Sequence, residues 1–224
     1  MSGIAAVSIA GKKPPSRSEK KAQSRRRILD AAKVVFFRDG FAAANLDRVA
    51  DHAGVAKGTL YRYFESKADL YVAVLAEDGR GFIAKLEESA RDGATAAQRI
   101  RSMSHFYFDH WEAYPDYFRI FWAIANQDLI GEIPAKIVDE VSRLWEDSLA
   151  IVSRVLDTGV QAGEFKKCDT WEVATIFWTT ANALIQQDAT AAMRSIRRGS
   201  LREVYRDALD LLVDGLALPS SQSH

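Results

Sequence analysis

The chain has 224 residues, of which 48% are hydrophobic and 27% are charged, a composition typical of globular proteins that excludes wholesale disorder. Its 30 basic and 30 acidic side chains cancel, but they are unevenly distributed. Residues 1–70 hold 14 basic and 7 acidic side chains, a net charge of +7, and residues 71–224 hold 16 and 23, a net charge of −7. This split indicates that the first part of the chain meets a polyanion and the second part does not.

Cysteine content and hydropathy restrict the class of protein further. The single cysteine, Cys168, excludes an intramolecular disulfide and a cysteine-based zinc site. No stretch approaches the roughly 20 apolar residues of a membrane helix. At the start of the chain, the charges follow the apolar residues, whereas a secretory signal has the opposite order. We therefore expect a cytoplasmic protein without a membrane partner.

The first 70 residues predict a short arm followed by closely spaced helices. Residues 1–18 contain small residues, prolines and lysines without a period, and they predict a flexible arm. Apolar residues then recur at helical spacing until Gly40, a predicted C-cap. Asn45 is a predicted N-cap for a helix over 46–53 that ends at Gly54, and a further helix follows over 56–64.

The rest of the chain is also predicted to be helical. Ser66 and Asp69 form a capping-box pattern that opens a long helix at Lys67, and the domain boundary is expected inside this helix. Strand alternation and tight glycine turns are absent. The sequence therefore predicts an all-α fold of about nine helices, with the later ones over residues 67–91, 95–114, 117–127, 134–163, 170–189 and 201–216.

Two short helices joined by a glycine-containing turn predict a helix-turn-helix, whose second helix enters the major groove of DNA. Residues 51–55 supply the turn, and Leu60 and Phe64 are spaced to face the core. The remaining side chains of the second helix are cations, hydroxyls and rings suited to phosphate and base contacts, namely Lys57, Thr59, Tyr61, Arg62 and Tyr63. The alternative is that its aromatic residues are only core residues.

The stretch FAAANLDRVADHAGVAKGTLYRYFESKADLY, residues 41–71, resembles the DNA-binding signature of the TetR family of transcriptional regulators. The core A-G-V-x-K-G-T-L-Y-x-Y-F-x-S-K matches almost position for position, and the resemblance covers about 50 residues. It implies an arm over 1–18, a DNA-binding domain over 19–66, and a variable helical domain over 67–218 for ligand binding and dimerisation.

The resemblance also implies roles for individual residues. Base contacts are expected from Lys57, Gly58 and Tyr61, and phosphate contacts from Thr59, Arg62, Tyr63 and Lys67. Asn45 stands where the family usually has Thr or Ser, so it keeps the cap but loses a hydroxyl. Asp47 and Arg48 depart from the expected order of a basic residue before an acidic one. A base contact from Asp47 is therefore in doubt, and Arg48 is a substitute. Asn45 and Arg48 complete the predicted DNA-binding set.

A basic run, Lys20, Lys21 and residues 25–27, lies at the start of the first predicted helix. As a solvated charge run it needs no explanation. Beside a helix-turn-helix, it is equally interpretable as an arm that follows phosphates or enters the minor groove.

Templates for catalysis are missing, which predicts that the protein is not an enzyme. The chain has no GxSxG, HExxH, CxxC or complete GxGxxG motif. His105 and Asp109 are four residues apart on one helical face, but two ligands make a weak metal site. We expect neither a metal nor a cofactor.

Large aromatic residues are concentrated between residues 106 and 122 and recur on later helices. Most of them are expected in the core, but so many rings around Pro115 also suit the lining of an apolar ligand pocket. His110 and Asn182 would orient the ligand. The predicted ligand-binding residues are Phe106, His110, Tyr114, Phe118, Trp122, Trp145, Trp178 and Asn182.

The last two predicted helices carry stripes of small and apolar residues. One stripe contains Ala174, Trp178, Ala181 and Ile185, and the other contains Val204, Ala208, Leu211, Leu212 and Gly215. They are interpretable as a symmetric four-helix interface between two copies or as burial within one chain. The family resemblance favours the dimer, which matches a palindromic operator in double-stranded DNA.

These features together predict a homodimeric transcriptional repressor released from its operator by a small hydrophobic or aromatic ligand. Two alternatives remain. One is a DNA-binding protein without a small-molecule inducer, which a fully packed second domain would favour. The other is a helical hydrophobe-binding protein whose first domain no longer binds DNA.

Overall fold

The computed structural model describes residues 16–115, 118, 134–188 and 191–218. That part of the chain contains nine α-helices and no β-strand beyond one isolated bridge between Phe165 and Ala217, which confirms the predicted all-α fold. The helices are α1 (Arg17–Ala43), α2 (Leu46–Ala53), α3 (Lys57–Tyr61), α4 (Lys67–Ser89), α5 (Ala96–Ala113), α6 (Ala135–Gln161), α7 (Thr170–Gln187), α8 (Ala191–Ile196) and α9 (Leu201–Leu216).

In the later part of the chain, one predicted helix is not tested and one observed helix was not predicted. The helix predicted over 117–127 lies outside the described residues except for Phe118. The short helix α8 was not predicted. Among the described residues, no helix is both long and apolar enough to cross a membrane.

The chain divides into two compact units, one ending at Leu70 and one beginning at Tyr71. Helix α4 begins in the first unit and ends in the second. In the first unit, α1 begins at a complete capping box, in which Ser16 Oγ accepts from the Glu19 N–H and Glu19 Oε2 accepts from the Ser16 N–H. The helix therefore includes Arg17 and Ser18, which were predicted in the arm, and the basic run is helical.

Gly40 interrupts α1 instead of ending it. Its φ of 73° and ψ of 170° are non-helical, and the helix continues to Ala43 after this kink. Only glycine adopts this conformation without strain. The core of the first unit is made by α1 and the short helices, with buried Ile28, Leu29, Ala32, Val35, Phe36, Leu46, Val49, Ala50, Leu60, Phe64 and Leu70.

In the second unit, the loop between α6 and α7 ties three helix ends together. Glu164 Oε2 accepts from the Ala96 N–H at 2.7 Å and so caps the start of α5. The Lys166 N–H donates to Leu216 O, and the Leu218 N–H donates to Glu164 O, each at 2.9 Å. Gly159 permits this arrangement, because a Cβ there would lie 2.3 Å from Phe165 Cδ2.

The stripe on α7 that was predicted to contact a second copy is buried within its own chain. Ala174, Ala181 and Ile185 belong to the core of the second unit, so this prediction was wrong. Helical spacing identifies a buried face, but it does not identify what buries the face. On α9, by contrast, Leu211 is 74% exposed, and on the outer face of α7 Ile176 is 51% exposed.

Candidate DNA-binding surface and candidate ligand cavity

The turn between α2 and α3 has the geometry that its sequence predicted. Asn45 Oδ1 caps α2 by accepting from the Asp47 N–H at 2.8 Å. Gly54 ends α2 in the left-handed region, with a φ of 62°. The following Val55 N–H then returns to Ala50 O at 3.0 Å. The chain reverses within a few residues, as a helix-turn-helix requires.

Helix α3 is anchored by two apolar side chains, as predicted. Leu60 is completely buried, and Phe64, just beyond the helix, is also buried. The helix is shorter than the predicted 56–64, because it ends at Tyr61 and residues 62–64 continue as hydrogen-bonded turns. The buried residues fix which side of α3 faces outward.

The predicted DNA-binding residues are mainly on the outer side. Exposed members are Asn45, Arg48, Lys57, Gly58, Tyr61 and Arg62, and half-buried members are Thr59, Tyr63 and Lys67. Their contacts to DNA stay predictions. A Cβ added at Gly58 would meet no atom within 4 Å, so packing inside the protein does not explain this glycine.

Two ion pairs organise the charges on this surface. Lys57 Nζ lies 2.7 Å from Asp47 Oδ1, and the hydrogen bond that Lys57 donates to this carboxylate raises the pKa of Lys57. The Arg48 guanidinium instead lies 3.3 Å from Asp39 Oδ2. Asp39 also accepts from Arg38, which lowers the pKa of the Asp39 carboxyl. Position 48 therefore carries a cation with an intramolecular partner on α1.

Lys67 has a role in folding that the sequence did not reveal. Its ammonium donates to Ala42 O at 2.9 Å and to Ala44 O at 3.2 Å, and it lies 5.0 Å from the centroid of the Phe41 ring. These contacts satisfy carbonyls at the end of α1. The predicted phosphate contact of Lys67 would use the remaining ammonium hydrogen.

The basic run at the start of α1 is exposed. One member, Arg25, places its guanidinium 5.5 Å from the centroid of the buried Phe64 ring, beyond the end of α3. The run is therefore attached to the same compact unit as the helix-turn-helix.

The second unit contains an apolar cavity of about 140 Å³. That volume is far above the roughly 10–15 Å³ that one water molecule needs. Its described lining contains no Asp, Glu, Lys or Arg side chain. The second unit is therefore not fully packed.

Six predicted ligand-binding residues line the cavity, namely His110, Tyr114, Phe118, Trp145, Trp178 and Asn182. Phe106 does not, and its ring contacts Phe82 and His110 instead. Trp122 lies outside the described residues. The lining also includes aromatic residues that were not predicted as ligand contacts, namely Phe82, Tyr107, Trp111, Phe177 and Tyr205. Tyr107, Trp111, Tyr114 and Phe118 recur at three and four residues, a signal that was available in the sequence.

Asn182 is already engaged with its own chain. Its Oδ1 accepts from the Tyr107 hydroxyl at 2.8 Å, and its Nδ2 donates to Trp178 O at 2.7 Å. Burial raises the pKa of Tyr107, which keeps this hydroxyl protonated as a donor. Both polar atoms of the Asn182 side chain therefore have partners within the chain. The role of Asn182 in orienting a ligand stays a prediction.

The weak metal pair has another explanation. Asp109 Oδ1 accepts from Arg202 at 2.6 Å. The described residues contain no group of three or more His, Cys, Asp or Glu side chains arranged to hold a metal ion.

The capped short helices, their left-handed glycine turn and the exposed cations and hydroxyls define a helix-turn-helix DNA-binding protein. Residues 28–74 match the family described as bacterial regulatory proteins, tetR family. This part of the chain is therefore similar to the DNA-binding domain of the TetR family of transcriptional regulators.

Relatives extend the similarity beyond the first unit. The chain is 26% identical to the fatty acid metabolism regulator protein of Bacillus subtilis (strain 168) over 191 residues, 84% of this chain and 93% of that protein. It is 44% identical to the HTH-type transcriptional repressor KstR of Mycobacterium tuberculosis over 86 residues, which are 38% of this chain and 39% of that protein. These relatives are transcriptional regulators and not enzymes.

A solved structure shows the same fold. The transcriptional regulator FadR from Bacillus subtilis, in complex with stearoyl-CoA, superposes with a TM-score of 0.67 at 23% identity, covering 85% of this chain and 98% of that chain. The likeness extends over both units of the chain.

Proposed function

We propose that the protein is a homodimeric repressor that binds a palindromic operator and is released when a small hydrophobic or aromatic ligand occupies the cavity. The observation that carries this proposal is an apolar cavity, without Asp, Glu, Lys or Arg in its described lining, in a chain whose first unit is a helix-turn-helix. A cavity favours a ligand-responsive regulator over a DNA-binding protein without an inducer.

Operator binding would use α3 in the major groove. Lys57, Gly58 and Tyr61 would face base edges, while Thr59, Arg62 and Tyr63 would face phosphates. The exposed basic run on α1 would add sequence-independent affinity that falls with salt.

Dimerisation would use the outer faces of α7 and α9. Leu211 and Ile176 are large aliphatic side chains with most of their surface exposed in the single chain. A second copy would bury them in a symmetric interface. A two-fold dimer would then present two recognition helices about one turn of DNA apart, roughly 34 Å, to a palindromic site.

The ligand class follows from the lining of the cavity. An enclosed carboxylate would lose its hydration without gaining a cation among the described residues, so the enclosed part of the ligand is uncharged. A long-chain acyl thioester satisfies this requirement. Stearoyl-CoA, which is bound in the Bacillus subtilis FadR structure, is the first compound to test.

Release requires that the ligand bind the conformation with low DNA affinity more tightly than the other conformation. Gly79, Phe82 and Leu86 of α4 line the cavity, and the same helix begins at Lys67 within the first unit. Movement of α4 is therefore the proposed link between ligand and operator.

The test measures operator affinity with and without stearoyl-CoA, using fluorescence anisotropy of a duplex from the region upstream of the protein's own gene. Val152→Phe adds volume to the lining of the cavity, whereas Ala150→Phe adds the same ring at an exposed position of α6. We expect Val152→Phe to keep operator affinity within about twofold and to weaken the ligand response at least about tenfold, a difference of about 1.4 kcal/mol. Ala150→Phe should respond like the original chain.

Two outcomes would contradict parts of the proposal. If the protein binds the duplex but neither stearoyl-CoA nor other hydrophobic compounds change that affinity, ligand-controlled release is wrong. If it binds no duplex even at low salt, its role as a repressor is wrong.

A further inference from the structure

One hydroxyl in the lining of the cavity has no hydrogen-bond partner. Ser104 of α5 is a lining residue, and its Oγ is buried without a partner among the described residues. A buried hydroxyl in this position costs free energy, because it has lost its hydrogen bonds to water and gained none in exchange. Such atoms are rare in folded proteins, so the Ser104 hydroxyl requires an explanation.

Three other hydroxyls of the lining donate their protons elsewhere. The Tyr205 hydroxyl donates to the backbone oxygen of Ser104, at 3.2 Å. The Tyr107 hydroxyl donates to a side-chain amide oxygen at 2.8 Å, and Ser148 Oγ donates to Leu144 O at 2.7 Å. The Ser104 hydroxyl is therefore the one among these four that is available to a molecule entering the cavity.

The size of the cavity limits which molecules can reach this hydroxyl. Its volume of about 140 Å³ is close to that of an engineered apolar cavity, roughly 150 Å³, that binds benzene. The cavity therefore encloses about one six-membered ring. Phe82, Trp111 and Phe177 are among the aromatic residues of its lining, and aromatic rings attract one another in tilted and offset contacts. A stearoyl chain would enter only in part or would require the lining to move apart.

We propose that the cavity binds a neutral one-ring compound with an oxygen substituent, such as a phenol, and that Ser104 Oγ donates a hydrogen bond to that oxygen. This inference rests on the proposed ligand binding and narrows the class of ligand. A phenol is uncharged at pH 7, as a lining without Asp, Glu, Lys or Arg requires. Its oxygen supplies the partner that Ser104 lacks, whereas a hydrocarbon of the same shape leaves the hydroxyl unpaired.

The experiment compares the binding of phenol and toluene to the full-length chain by isothermal titration calorimetry at pH 7. The two probes have the same number of non-hydrogen atoms and differ in whether a hydroxyl or a methyl group is attached to the ring. Ser104→Ala removes the proposed donor. Ser148→Ala removes the other serine of the lining, whose hydroxyl is engaged with Leu144 O, so it is the matched control. Circular dichroism verifies that each variant is folded.

We expect the affinity for phenol relative to toluene to fall at least about fivefold in Ser104→Ala and to stay within about twofold in Ser148→Ala. Without a probe, Ser104→Ala should raise the urea midpoint more than Ser148→Ala does, because only Ser104→Ala removes a buried hydroxyl that has no partner. Higher stability together with weaker phenol binding is the signature of a ligand contact, since the loss of a serine that only supports the fold would lower stability.

The outcomes separate this inference from the proposed function. If Ser104→Ala leaves the relative affinity unchanged, or weakens phenol and toluene equally, the inference is wrong although the cavity still binds ligands. If stearoyl-CoA lowers operator affinity but neither phenol nor toluene binds, the one-ring class is wrong and ligand-controlled release stands. If none of the three compounds binds, this inference and the proposed release by a ligand both fail.

Discussion

At Gly58, helix stability would favour alanine, whereas the proposed DNA contact would favour glycine. No atom of the chain lies within 4 Å of the position that a Cβ would take, and its backbone does not have a positive φ. Within a helix, glycine is less favourable than alanine by roughly 0.5–1 kcal/mol. The fold therefore gains nothing from this glycine, and the proposed close approach of a DNA duplex would account for it.

Gly58→Ala should stabilise the protein and weaken DNA binding at the same time. We expect the free energy of unfolding to rise by up to about 1 kcal/mol in urea denaturation. We expect DNA affinity to fall severalfold, because the added methyl group meets the duplex. Gly54→Ala is the control, since its left-handed φ of 62° predicts a loss of stability instead. Unchanged DNA affinity in Gly58→Ala would contradict the assigned contact.

Lys67 illustrates why a residue's role was only partly predictable from its position in a motif. The signature implied a phosphate contact, and nothing in the local sequence indicated that its ammonium would hold two carbonyls at the end of α1, 23 and 25 residues earlier. Contacts between elements depend on how helices pack, which local spacing does not encode.

At the scale of elements, helix starts were the most predictable feature. Asn45 and Ser66 were identified as caps because a side-chain oxygen next to a helical period satisfies free N–H groups. Helix ends were less predictable, since α3 stops at Tyr61 and α1 continues past Gly40. The short α8 has only six residues, which is too few to give a periodic signal.

The candidate cavity was predicted in outline but not in its boundaries. The aromatic cluster identified the right part of the chain, and six of its candidates line the cavity. Phe106 precedes Tyr107 by one residue, and only Tyr107 is among the described residues that line the cavity. The direction of a side chain around a helix changes by about 100° per residue. The number of aromatic residues in a segment therefore does not identify which of them face the cavity.

The capping box at the start of α9 makes that helix sensitive to acid. Glu203 Oε2 accepts from the Ser200 N–H and hydroxyl, each at 2.8 Å, and these hydrogen bonds lower the pKa of Glu203 below its ordinary value of 4.5. A lowered pKa gives stability that is present above the unfolded pKa and is lost as pH falls through the folded value.

Glu203→Gln should therefore lower stability at pH 7 and change it less at pH 3.5, which lies below the ordinary pKa of 4.5, where the stability that comes from the lowered pKa declines. The measurement is the urea midpoint of both chains at the two pH values. Glu146→Gln removes an exposed glutamate from α6 outside any capping box and serves as the control. An equal difference in midpoint at both pH values would contradict the assigned role of Glu203.

At the scale of the whole molecule, the zero net charge conceals two oppositely charged parts. The +7 of residues 1–70 includes the exposed basic run on α1 and the cations of α3, and the −7 lies in the remainder of the chain. Such a distribution favours contact between duplex and helix-turn-helix and disfavours wrong contacts elsewhere.

Leu211→Glu should convert the proposed dimer to a monomer, because a charge would replace the most exposed large aliphatic side chain of α9. Sedimentation velocity measures this directly. Val34→Glu introduces the same charge at an exposed position of α1 and should leave the dimer intact. A dimer that survives Leu211→Glu would show that another surface holds the two copies together.

The loop between α6 and α7 also bears on the order in which the second unit folds and unfolds. Several of its hydrogen bonds join residues 50 or more positions apart, such as Lys166 with Leu216 and Glu164 with Ala96. Contacts of such long sequence separation form only after much of the chain is in place, so they belong to the late stages of folding. The amide protons of Lys166 and Leu218 should therefore exchange with deuterium only when the unit unfolds cooperatively, although both lie outside the long helices.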